Sequence, residues 1–198
     1  MATNVQAILA NLLTFYDFSS KNVIAVGAGG GQLAGYGAVA RSVFAVDPDA
    51  AALAALAKRA DALALTSRFT YCAREFEKAD CSGDVALFEF SLHEMRDPAL
   101  ALTHAECVAQ EVVVLDHAPG SPWAFHTDEV EKVASGWQAI DRRGLRRMCR
   151  FEAEQRFTDH EELVAKVACQ GKEALKRAER FRGRRDVCVP MPYLIALL

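Results

Sequence analysis

One stretch restricts the fold more than any other. Val23-Ile24-Ala25-Val26 runs into Gly27-Ala28-Gly29-Gly30-Gly31, and Val43-Phe44-Ala45-Val46 then ends on Asp47. Short, wholly apolar runs bounded by turn residues are the pattern of strands buried on both faces. Between them there is room for a short helix, which Gly35 and Gly37 weaken. Glycine permits a tight turn and lets backbone approach a ligand where a Cβ would collide. A carboxylate about 20 residues past the first glycine, at the end of the second strand, is where a ribose-binding acid sits in a βαβ nucleotide site. A tight turn alone accounts for the glycines. The two apolar runs and the terminal acid together point to an adenosine-type ligand.

The alternation continues along the chain. Val5, Ile8, Leu9, Leu12 and Phe15 recur at helical spacing and predict an amphipathic helix over residues 3–16. Pro48 suits a first helical position ahead of the alanine-rich residues 50–60. Residues 68–73 read as a short third strand, Val85-Ala86-Leu87-Phe88-Glu89-Phe90 as a fourth, and Val112-Val113-Val114-Leu115 as a fifth that ends on Asp116-His117. Asp97-Pro98 caps and starts the helix between the last two. Val130, Val133, Ala134, Trp137 and Ile140 mark a further helix.

Over residues 150–157 the pattern changes to strict alternation, with Phe151, Ala153 and Phe157 on one face and Arg150, Glu152, Glu154 and Arg156 on the other. That is a strand with one wet face. Thr158 and Glu161 form a capping box for a long helix carrying Leu163, Val164, Val167 and Leu175. Residues 187–197 make a last strand, which Pro190 and Pro192 confine to an edge or a bulge. Strands alternating with helices imply an α/β fold: one doubly wound, seven-stranded, mostly parallel sheet with helices on both faces.

The 198 residues suit one domain, and 52% hydrophobic with 25% charged residues suits a globular protein. No stretch approaches the roughly 18 uncharged apolar residues that span a bilayer. Polar Asn4, Gln6 and Asn11 stand where an export signal would be apolar. The six cysteines are scattered without a C-x-x-C, so reduced thiols and a cytoplasmic location are expected, with Cys107 and Cys188 in the core. Charge is uneven: between Arg142 and Arg185 there are 14 Lys/Arg against 7 Asp/Glu, leaving 9 against 19 elsewhere. A solvated, ion-paired helix face explains this better than an anionic partner.

Residues 21–123 resemble a class I (Rossmann-like) S-adenosylmethionine (SAM)-dependent methyltransferase of the small-molecule type. Gly27-x-Gly29-x-Gly31 is similar to that family's first motif, and Asp47 to the acid that holds both ribose hydroxyls. Phe88-x-Phe90-Ser91-Leu92-His93 is similar to its fourth motif. The resemblance implies that Gly27, Ala28, Gly29, Gly31, Asp47, Phe90 and Ser91 hold SAM, with Glu75 after the third strand as the candidate for the adenine. It also implies a single domain over residues 1–198. Residues 1–20 are then a helix and lid, 21–123 the cofactor-binding core, and 124–198 the remaining helices and strands, the last strand antiparallel. One departure is Ala25, where the family often has an acid.

Rival readings are testable against the same residues. An NAD-type dehydrogenase needs a small residue where Gln32 stands. A base-methylating enzyme resembling the amino-group type needs an Asx-Pro-Pro-aromatic turn where Ser91-Leu92-His93-Glu94 stands, so nucleic acid is not the expected partner. A non-catalytic SAM-binding regulatory protein is the alternative from another class. Neither the acceptor atom nor the oligomeric state follows from these residues. Methyl transfer needs alignment of the acceptor and, for many acceptors, removal of a proton. Residues after the fourth and fifth strands are best placed for that work, and His93 and His117 are the candidate catalytic bases, near Asp116 and Trp123. No sequence motif suggests a metal site.

Overall fold

The computed structural model describes residues 4–198. Among these residues the strands are β1 Asn22–Val26, β2 Ser42–Val46, β3 Phe69–Cys72, β4 Gly83–Glu89, β5 Ala109–His117, β6 Arg147–Phe151, β7 Glu154–Asp159, β8 Arg185–Pro190 and β9 Tyr193–Leu197. The helices are α1 Val5–Phe15, α2 Ala50–Ala62, α3 Pro98–Val108, α4 Pro122–His126, α5 Val130–Asp141, α6 His160–Val167 and α7 Lys172–Ala178. None of these helices is long and apolar enough to cross a membrane.

Seven strands form one sheet in the order β3-β2-β1-β4-β5-β9-β6. Strands β1 to β5 pair in parallel. β9 runs antiparallel to both of its neighbours, so six strands share one direction and the last is reversed. Alternate residues feed two cores. Val23, Ala25, Val85, Leu87, Val113 and Leu115 pack with α1, α2, α6 and α7 on one face. Ile24, Val26, Ala86, Phe88, Val112 and Val114 pack with α3 and α5 on the other. Strand order reverses at β1, between β2 and β4, and in open α/β sheets a ligand crevice opens beyond the strand ends at such a point.

Local signals start most helices. The Asn4 side chain accepts from the Ala7 amide at the head of α1, and Asp97 accepts from Leu100 ahead of Pro98 in α3. Residue 3 of the expected first helix lies outside the described residues. The weak helix expected after the glycines is a 3-10 segment, Ala34–Ala38. Pro48 precedes its helix, whose cap is Asp49 accepting from Ala51. Asp159 takes the cap expected of Thr158, because its carboxylate reaches the Glu162 amide while Glu162 accepts from the Thr158 amide.

The C-terminal third departs further from expectation. The strand expected at 150–157 is divided: its first part belongs to β6, an edge of the main sheet, and its second part to β7, which pairs with β8 in a separate two-stranded sheet. Alternation signals one buried face and does not say which sheet buries it. Likewise residues 187–197 divide between β8 and β9, and β9 is internal, with both prolines before it. The expected long helix breaks at Gly171, whose φ of +99° separates α6 from α7. Cys107 and Cys188 are exposed.

Candidate functional site

Two cavities open at the carboxyl ends of the strands. The larger, of about 810 Å³, is lined by Gly27 after β1, Asp47 after β2, Glu75 after β3, and Phe90, Ser91 and Glu94 after β4. The smaller, of about 210 Å³, is lined by Ala28, Gly29 and Gln32, by Glu89, Phe90, His117 and Trp123, and by Val5 and Ile8 of α1. Gln155, Lys166 and Met191 reach it from the C-terminal third. Phe90 lines both cavities, and its φ of +53° is a strained conformation for a residue with a bulky side chain.

The glycines divide their work. A Cβ on Gly27 would lie 2.4 Å from the Ser91 Cβ, at a φ of +63°. Ser91 in turn donates from Oγ to the Val26 carbonyl at 2.6 Å, so β1 and the loop after β4 meet here without room for a side chain. Gly31 lines neither cavity: a Cβ there would lie 2.5 Å from Leu56 Cδ1, so it serves the packing of α2 instead of facing a ligand. Gly29 has open space, and its backbone faces the smaller cavity. Asp47 is buried and accepts from the Asp49 amide at 2.8 Å. Glu75 is exposed at the rim and pairs with Lys78 at 2.6 Å.

The two candidate histidines have opposite surroundings. His93 lines neither cavity. Its Nδ1 lies 2.6 Å from Asp116 Oδ1, and its Nε2 lies 3.5 Å from Glu94 Oε1 and 3.9 Å from Glu129 Oε2. Burial alone lowers its pKa, but hydrogen bonds to Asp116 and Glu94 and the Glu129 charge outweigh that and hold it at about 10. Its place outside both cavities departs from the expectation of His93 as a catalytic base. His117 does face the smaller cavity, with its ring 4.9 Å from that of Phe90. Burial pushes its pKa down to about 4, and its Nδ1 is buried without a hydrogen-bond partner.

A further acid at this site, not singled out from the sequence, is Glu89, the last residue of β4. It is buried, lines the smaller cavity, and accepts from the Tyr36 hydroxyl at 2.7 Å. Burial raises its pKa to about 7, against a lowering by the Tyr36 hydrogen bond. The run Val85 to Phe90 read only as an apolar strand, and an acid inside such a run is the signal that was there to use. Tyr16 and Phe18, near the expected lid, are core residues, and Val5 and Ile8 of α1 cover the cavity instead. The basic residues of the C-terminal third include many with acidic partners, among them Arg146–Glu111, Arg177–Asp128, Arg150–Glu152 and Arg182–Glu179.

No protein-family model matches the sequence, and no curated protein matches it either. Solved structures do. The YcgJ protein of Bacillus subtilis aligns with a TM-score of 0.73 at 12% identity, covering 97% of each chain. Magnesium protoporphyrin IX methyltransferase of Synechocystis, with bound S-adenosylhomocysteine (SAH), aligns with a TM-score of 0.56 at 11% identity over 97% of this chain and 80% of that one. Precorrin 8W decarboxylase of Methanobacterium thermoautotrophicum aligns with a TM-score of 0.64 at 11% identity over 96% and 88%. The fold is that of the class I SAM-dependent methyltransferases.

Proposed function

We propose that the protein transfers a methyl group from SAM to a small-molecule acceptor held in the 210 Å³ cavity, in the cytoplasm. The observation that carries this reading is that the two cavities share Phe90, with the glycine turn running from one to the other. An adenosyl group over Gly27 would find Asp47 for its ribose hydroxyls and the Glu75 rim beyond. The far end of the ligand would then pass Phe90 toward Ala28 and Gly29, where the smaller cavity begins. When bound, SAM supplies an electrophilic methyl group that an acceptor lone pair attacks in line.

The chain's own contribution is position and a proton acceptor. Val5 and Ile8 of α1 form an apolar part of the smaller cavity's wall. Glu89 is the proposed base: with a pKa of about 7 it is substantially ionised at neutral pH yet still basic enough to take the acceptor's proton. Tyr36 orients the carboxyl through its hydroxyl. His117, a neutral ring on the cavity wall, can hydrogen-bond the acceptor through a ring nitrogen and so orient it.

Calorimetric titration with SAM, SAH and NAD tests the ligand. Binding of SAM and SAH that weakens in Asp47→Ala is the expected result, and binding of NAD alone overturns the reading. A screen of small acceptors with methyl-labelled SAM then tests transfer. Tight SAM binding with no acceptor methylated would favour a SAM-sensing regulator.

A further inference from the structure

We infer that His93, His117 and Glu129 form a binding site for a divalent transition-metal ion of the zinc type. A ring nitrogen from each histidine and a carboxylate oxygen of Glu129 lie within 4.8 Å of one another, and all three residues are buried. They come from three elements: the turn after β4, the end of β5, and the residue that precedes α5. The side chains of His93 and Glu129 are 4% and 6% exposed. Burying a carboxylate is strongly unfavourable unless positive charge meets it.

The surroundings have the form of a metal site's outer shell. A metal-bound histidine usually donates its second ring N–H to a carboxylate, which fixes the tautomer and aims the other nitrogen at the ion. Asp116 sits 2.6 Å from His93 Nδ1 and also accepts from the His93 and His117 amides at 3.0 and 2.8 Å. His93 Nε2 is thereby aimed at Glu94 and Glu129. Thr127 donates to Glu129 Oε2 at 2.5 Å, and Trp137 Nε1 donates to the His117 carbonyl at 2.7 Å. Two imidazoles and one carboxylate suit zinc or its transition-metal neighbours, whereas magnesium and calcium prefer oxygen shells.

An ion network alone would leave one fact unexplained. His117 Nδ1 is buried with no partner, although nearly all such atoms in folded proteins have one. Zinc ligands at roughly 2.0–2.2 Å from the ion stand about 3.5 Å apart, close to the 3.9 Å between His93 Nε2 and Glu129 Oε2. Three protein ligands leave the fourth tetrahedral position to water. Such an ion would tie the loops after β4 and β5 to the start of α5 and hold the His117 ring on the wall of the smaller cavity. This inference does not depend on the methyl-transfer reading.

The test is a titration of the chelator-treated full chain with Co²⁺, followed by visible absorption, then competition with Zn²⁺. One Co²⁺ per chain, displaced by Zn²⁺ and not by Mg²⁺, is expected. Asp116→Asn should weaken it by about 10- to 100-fold, Glu129→Gln should abolish it, and Glu131→Gln, an exposed acid, should leave it unchanged. If Glu129→Gln fails to fold, the wild-type stoichiometry and the Asp116→Asn shift decide. Absence of a Co²⁺ spectrum overturns the site, as does binding that both variants leave intact or that Mg²⁺ displaces.

Discussion

The cleft over β1 and β2 and the niche behind β4 and β5 are adjacent but built on different principles. The first is backbone architecture: one glycine with no room for a Cβ, a serine tying the loop after β4 to β1, one acid at a strand end. The second is side-chain chemistry: His93, Asp116, His117 and Glu129 brought together from elements far apart in sequence. The cleft is open and can recognise a ligand with few charges. The niche is closed, and each of its charges depends on the next. Substitutions in the cleft should therefore act on binding, and those in the niche on stability, while Glu89, between them, should act on rate.

Turnover is where the largest effect is expected. Glu89→Gln should lower kcat by about 10²–10⁴-fold while calorimetric SAM affinity stays put. Ionisation sets the sign of the pH dependence. Burial keeps the proton on Glu89 up to a pKa of about 7, so the base form accumulates above it. Wild-type kcat should rise from pH 6 to 8 with an inflection near 7, and Glu89→Gln should flatten that limb. A flat wild-type profile would place proton removal elsewhere, or nowhere.

His93→Ala should separate the two regions by stability. Removing one partner of a buried ion pair costs about 3–5 kcal/mol, readable as a shift in the urea midpoint, with SAM affinity of the folded fraction retained. A normal midpoint and lost turnover would move His93 back among the catalytic groups. Asp47→Ala should do the reverse. Losing a charge-assisted hydrogen bond is worth about 1.5–3 kcal/mol, so SAM should bind at least tenfold more weakly, with the urea midpoint nearly unchanged. Smallest of all, Glu75→Gln should leave thermal stability unmoved, because its ion pair with Lys78 is solvent-exposed.

This division also explains what the sequence made legible. The glycine turn, the strands β1 to β5 and Asp47 are local patterns, each readable within a window of a few residues. The positions of His93 and His117 at strand ends were readable too. Their side-chain directions were not, since Asp116 and Glu129 draw the His93 ring away from the cavities. Glu89 was hidden for another reason: its meaning comes from burial and from Tyr36, which arrives from the far side of the glycine turn. At 150–157 a period-two pattern was correctly seen as strand, but strand partners are a property of the whole chain. A metal site needs three elements already folded, and no spacing rule reaches across them.

The placement of β9 between β5 and β6 sets an order of assembly. Within the sheet β6 has no partner except β9, yet the chain reaches β9 only after the excursion through β7, α6, α7 and β8. Until it returns, β5 presents a raw edge of apolar residues, Val113 to Leu115, and β6 has nothing to pair with. Closing that gap is a long-range, late event, and such contacts are slow to form. The folding intermediate to look for has a five-stranded parallel sheet with an unprotected rim. Amide protons of Val113 to His117 should become protected later in refolding than those of β1, and that rim is where two half-folded chains would most readily stick to each other.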